Sequence, residues 1–224
     1  MAFGLQELSA AMPGLIAGAK TTIEITVLAI LGGCFVGTLL AMARQSSIKP
    51  LAWLAALYVN LFRSIPKLLT IIWLYYAFPL MYNLITGDYL NFDTAFMAGV
   101  MAFLIFESAY FSEVVRAGIQ SIPKGQIFAA KALGMSYAQS MRLIILPQAF
   151  RKMTPLLLQE SIILFQDTTL VMSIGLVDFF NAATVRGQLM GELPQYIIFA
   201  GFIYFIVSTI CSYGVKQVQK KMHI

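Results

Sequence analysis

Five long stretches of almost uninterrupted apolar residues govern what this chain can become. They cover residues 23–43, 57–80, 94–115, 153–177 and 193–215. A hydrocarbon core about 30 Å thick takes roughly 20 helical residues, so each stretch is long enough to cross one. None alternates apolar and polar residues like a barrel strand, and a helix satisfies its own backbone in lipid. The expectation is an all-α, multi-pass transmembrane helical bundle of about five spans, with residues 1–224 forming a single domain. Hydrophobic residues make up 59% of the chain and charged residues 11%. Soluble domains carry about 25% charged residues, so a soluble or a disordered chain is excluded. Cys34 and Cys211 lie inside apolar runs and read as small hydrophobes, not as a disulfide framework.

Charge sets the orientation. With the C-terminus in the cytoplasm, all of the 15 Lys and Arg residues except Lys20 and Arg186 fall on the cytoplasmic side, as the positive-inside rule requires. The acids Glu7, Glu24, Asp88, Asp93, Asp178 and Glu192 then fall in outer segments or at outer helix ends. This N-out, C-in arrangement makes the net charge of +5 a matter of topology and not a nucleic-acid footprint. The first run has no basic n-region, exceeds a signal-peptide h-region and is followed by Arg44, so it reads as a retained helix. Phe3 to Lys20 reads as a separate outer-surface helix, and Pro79 as the stop of the second span.

The cytoplasmic segment from 117 to 152 is far longer than a connection requires. Ser121 and Pro123 start a first short helix over Gln126 to Leu133, which Gly134 ends in a left-handed conformation. Ser136 caps a second helix from Tyr137, which Pro147 breaks. Ala129, Ala130, Ala132 and Gly134 leave one slim helix face that another protein can approach. Two readings stand: a docking surface, or a pair of interfacial helices lying on lipid and held by Lys131 and Arg142.

Phe128-Ala129-Ala130, three residues, Gly134, nine residues, Ile144, one residue, Leu146-Pro147 resembles the EAA loop of the membrane subunits of ABC importers, with Phe128 where that family often has Glu. Tyr58 to Pro66, Ser112 to Ile122 and Gln166 to Leu170 extend the likeness. Over about residues 15 to 218 the chain is similar to the permeases of the polar amino acid importer family. Within it, the runs Gly134 to Phe150 and Leu164 to Asp167 are most like the glutamate/aspartate importer permeases. The resemblance implies a permease in a bacterial cytoplasmic (inner) membrane that is not itself an enzyme. It implies a second permease subunit, identical or paralogous, cytoplasmic ATP-binding subunits docked on the loop, and an extracytoplasmic amino-acid-binding protein. ATP and Mg would be bound by the ATPase partner, with no cofactor in this chain. Ala129, Ala130 and Gly134 would form the snug contact with the ATPase, and Ile144, Leu146 and Pro147 complete the motif, the last two fixing the exit angle of the lever.

Glu107, Glu160 and Asp167 lie inside spans, where each costs on the order of 2.5–3.5 kcal/mol, so they face the protein interior or water. Glu160 and Asp167, seven residues apart, share one helix face about 10 Å apart. They read either as a polar path, holding a substrate ammonium while Gln166, Thr168 or Thr169 meets its carboxylate, or as interhelical bonds. Glu113 and Arg116 pair at the inner boundary, and Arg63, beside Ser64 and Pro66, reads as structural or gating. No basic residue lies mid-span by this reading, so Glu160 by itself favours a cationic amino acid while the resemblance favours an acidic one.

Rival classes are weak. A Ser-His intramembrane protease needs a base in the membrane, and the only histidine is His223 in the tail. An aspartyl-type protease could pair Glu107 with Asp167 but shows no motif. A secondary transporter normally shows more spans and an internal repeat. No Walker A sequence and no metal-ligand cluster is present in the sequence.

Overall fold

The computed structural model describes residues 5–89 and 93–221, and these are helical apart from short connections. Helix α1 (Leu5–Arg44) is continuous over 40 residues, about 60 Å at 1.5 Å per residue. The separate outer helix expected over Phe3 to Lys20 is therefore the first part of this spanning helix, with Phe3 itself outside the described residues. The reason is packing: Ala11 and Leu15 are buried against Ala183, Tyr196 and Ala200 of the last two helices.

The second apolar run is broken, not continuous, and forms α2 (Lys49–Ser64) and α3 (Lys67–Thr86). Ile65 and Pro66 between them are extended, with ψ of 139° and 132°. Proline has no N–H for the helical ladder and disfavours helical backbone in the residue before it. Helix α3 then continues past Pro79 and ends at Gly87, whose φ is +76°. Pro79 is thus not the stop.

Helix α4 (Thr94–Gln120) is the most buried of the spans, and the Asp93 carboxylate caps it by accepting the Phe96 N–H at 3.0 Å. Helix α1 lies close along it. A Cβ on Gly33 would meet the Glu107 Cβ at 2.8 Å, and one on Gly37 the Phe111 Cβ at 2.9 Å, so glycine permits the backbone approach typical of membrane helix pairs. Ile25, Ala29, Ile71 and Phe103 form the core where α1, α3 and α4 meet.

After α4 come α5 (Lys124–Ala132), α6 (Tyr137–Ser140), a π-helical turn (Met141–Ile145) and α7 (Leu146–Asp167). Gly134, at φ +73°, ends the first piece as expected, and the Met135 N–H closes the turn on the Ala130 carbonyl at 3.1 Å. Ser136 and Gln139 form a reciprocal capping box. Pro147, however, does not break the second helix. The turn ahead of it widens, with the Leu146 N–H donating to the Met141 carbonyl, and this wider turn carries the chain past the proline without a break. The π turn is held by Ile145 and Met141, packed with Val115, Ile119 and Met153.

The fourth run was expected to be helical to residue 177. Instead it tightens into a 3₁₀ segment (Thr168–Ile174), turns at Gly175 (φ +75°) and bends by 50° into α8 (Phe179–Met190), followed by α9 (Leu193–Lys221). Asp178, fully buried, caps α8 by accepting from the N–H groups of Asn181 at 2.9 Å and Phe180 at 3.2 Å. Four described helices are long and apolar enough to cross a membrane, and the bent pair makes five. The all-α multi-pass bundle is what the chain forms.

Candidate functional site

The break between α2 and α3 places the first residue of α3, Lys67, beside Glu107, which stands thirteen residues from each end of α4. The Lys67 Nζ donates to Glu107 Oε1 at 3.1 Å and to Asp167 Oδ2 at 2.7 Å, and lies 5.2 Å from the centroid of the Tyr110 ring. One ammonium thus ties α3, α4 and the end of α7. The positive end of a helix disfavours a lysine in its first turn, and two carboxylates offset that penalty. A basic residue therefore does stand at mid-bundle, contrary to the reading of the sequence.

The two acids differ in access. The Glu107 side chain is 1% exposed and that of Asp167 29%. Glu107 Oε2 is buried without a hydrogen-bond partner. Glu160, half-buried on α7, has no ion pair among the described residues. Charged edges of this kind do not face hydrocarbon, so the open side of the cluster borders water or another subunit.

The remaining candidates on this stretch are not brought to the same edge. Gln166 points to α9, where its Nε2 donates to Ser208 Oγ at 2.9 Å. Thr168 is fully buried and its hydroxyl donates to the Phe165 carbonyl at 2.7 Å, which steadies the 3₁₀ turn. Thr169 spends its hydroxyl likewise on the Gln166 carbonyl at 3.0 Å.

A second cluster lies further along α4. Glu113 pairs with Arg116, as expected, but also accepts from Arg44 Nη1 at 2.5 Å, and Arg63 Nη1 lies 3.9 Å away. Arg63 is also 5.6 Å from the Tyr110 ring centroid. One carboxylate thus gathers three guanidinium groups from α1, α2 and α4.

Of the small-residue face expected on the loop helices, Ala129, Ala132 and Gly134 are exposed and Ala130 alone is not. Ala130 is fully buried and packs inward, so it is not part of an outer contact, while Ala129, Gly134 and Pro147 are exposed. Ile144 and Leu146 pack against the core that holds the π turn. The exposed large apolar side chains there are Phe128 at 65%, Leu133 at 79%, Tyr137 at 59% and Leu143 at 64%.

The model of the family described as binding-protein-dependent transport system inner membrane component matches residues 29–223. The chain belongs to this family. Among curated relatives, this permease is 47% identical over 210 residues to the glutamate/aspartate import permease protein GltK of Escherichia coli, covering 94% of each chain. It is 32% identical to the arginine transport system permease protein ArtQ of Bacillus subtilis, over 94% of this chain and 93% of the other. Among solved structures, the permease aligns at a TM-score of 0.85 and 30% identity with a chain from the crystal structure of an amino acid ABC transporter with histidines, covering 99% of this chain and 100% of that one. The MetNI methionine ABC transporter shares its fold, with a TM-score of 0.75, 19% identity and coverage of 94% and 97%.

Reading the permease's sequence missed Lys67 as a site residue, although one signal was present. Pro66 precedes it, and a proline inside an apolar run can split a span and move its charge inward. Leu133 and Tyr137 were missed because apolar residues in a loop resemble core residues until their exposure is known.

Proposed function

We propose that this permease forms part of the translocation path of an ATP-driven importer of glutamate and aspartate. Lys67 carries the acidic reading: it is the mid-bundle cation that a substrate with an extra carboxylate requires, and the relative named as a glutamate/aspartate import permease agrees with it. Glu107, Glu160 and Asp167 supply the complementary negative groups, with Gln166 at the neighbouring α9 face. The chain lies N-out and C-in in a bacterial inner membrane and pairs with a second permease subunit. It receives its amino acid from an extracytoplasmic binding protein.

Cytoplasmic ATPase subunits dock on the loop helices and hold the ATP and Mg, so this chain carries no cofactor and is not the enzyme. Phe128, Leu133 and Tyr137 meet the ATPase with Ala129 and Gly134. Ile144, Leu146 and Pro147 join that contact rigidly to α7, so ATPase closure biases an inward/outward equilibrium. The Glu113 cluster ties the same end of α4 to α1 and α2.

The test is purification of the tagged chain from its native membranes with identification of its stoichiometric companions. An ATPase subunit should be recovered, with vanadate-sensitive hydrolysis lost in Gly134→Leu while the chain still inserts. A chain that comes away with no ATPase, under conditions that keep other membrane complexes whole, overturns the importer. A second reading, a basic amino acid importer, draws on the surplus acid around Lys67 and the bare Glu107 oxygen. Uptake of labelled aspartate blocked by glutamate and not by arginine decides for the first reading; the reverse decides for the second.

A further inference from the structure

The ion cluster at mid-bundle has a fixed arm and a loose one. Lys67 is held by Glu107, which is sealed in the core, and by Asp167, whose side chain is 29% exposed. Asp167 is the last residue of α7, where the helix gives way to the 3₁₀ segment, a junction of poorer hydrogen-bond geometry that rearranges readily. Glu160, back along the same face, sits about 10 Å from Asp167 at 1.5 Å per residue. Its carboxylate is left without a cation among the described residues. The open edge of the cluster therefore offers one cation with a displaceable partner and, two turns back along the same helix, one anion with no ion pair among the described residues.

We propose that Lys67 is the specificity-determining residue of this site: the side-chain carboxylate of an acidic amino acid takes the place of Asp167 on Lys67, while the substrate ammonium meets Glu160. This rests on the acidic-substrate reading above and adds to it the residue that selects. The exchange never leaves Lys67 unpaired, because Glu107 stays in contact throughout, and that avoids the cost of an isolated buried charge. A neutral amide in the substrate's side chain brings no charge to displace Asp167, and a cationic side chain is repelled by Lys67. Discrimination arises from the unmatched partner and not from pocket size.

The experiment uses the complete complex, reconstituted in proteoliposomes with its binding protein, and reads initial uptake of labelled glutamate against labelled glutamine. The variants are Lys67→Gln, Lys67→Arg and the double Lys67→Gln/Asp167→Asn, each first checked for recovery with the ATPase subunits. Lys67→Gln should reduce the preference for glutamate over glutamine at least tenfold, and Lys67→Arg should keep most of it. The double variant removes one of the two acids that Lys67→Gln leaves without a cation, so it assembles more readily than Lys67→Gln, and its preference for glutamate should still be lost. An equal fall in glutamate and glutamine uptake in Lys67→Gln overturns the proposal, since Lys67 then serves only the carboxylate common to all amino acids. Restoration of the preference in the double variant also overturns it, since the ion pair is then only a strut. Wild-type complex that takes up neither glutamate nor aspartate refutes the acidic reading itself, before any variant is compared.

Discussion

Helix α4 carries two carboxylates with opposite arithmetic. Glu107 and its neighbour Asp167 share the single ammonium of Lys67, whereas Glu113 is shared by Arg44, Arg63 and Arg116. At the first, acid is in surplus, so one partner can leave without stranding a charge. At the second, a lone acid holds three cations from three helices, and its removal takes from Arg44 its carboxylate and leaves Arg116 only Gln120. The first arrangement suits a site that must exchange partners, the second a joint that must not.

This contrast makes Glu113→Gln the most damaging of the charge-removing substitutions on α4. Breaking such a partly buried cluster should cost about 3 kcal/mol, read as a lowered thermal unfolding midpoint in detergent. A cost under about 1 kcal/mol would make the two clusters equivalent and break the comparison. Glu107→Gln should change stability by no more than about 1 kcal/mol, because Lys67 keeps Asp167 and the amide needs no counter-charge. A larger loss than in Glu113→Gln would reverse the assignment of site and joint. Arg63→Ala should have the smallest effect, within about 0.5 kcal/mol, since its side chain is 40% exposed and its Nη1 lies 3.9 Å from Glu113. Measuring it beside Arg44→Ala, whose contact is 2.5 Å and side chain 15% exposed, sharpens the picture. The Arg44 change should be the more damaging of the two.

Much of the fold was legible because it is written in local terms. Apolar run lengths gave the bundle and its number of spans, and Gly134 and Ser136 marked the helix ends that formed there. The misreadings share a cause. Pro66 split a run that looked continuous, Pro79 and Pro147 failed to stop helices that run on through them, and α1 absorbed residues that looked like a surface helix. A proline's local preference decides an end only where neighbours do not compensate for the missing bond. At the site, Glu107, Asp167 and Glu160 were legible because acids in hydrocarbon are costly and therefore conspicuous. Lys67 was not, since a lysine near the start of an apolar run looks like an interfacial anchor.

The sequence by itself determined that this chain is helical, that it crosses a membrane about five times, and that Gly134 and Ser136 divide its loop into two helices. Those properties follow from the composition and spacing of residues within one or two helical turns. Only the tertiary structure decided that Lys67 meets Glu107 and Asp167, 40 and 100 residues away, that three arginines close on Glu113, and that Ala130 turns inward. The physical reason is that hydropathy says how deep a segment lies but not how helices are rotated and slid against one another. That register is set by close approaches such as Gly33 on Glu107, which exist only once the helices have packed.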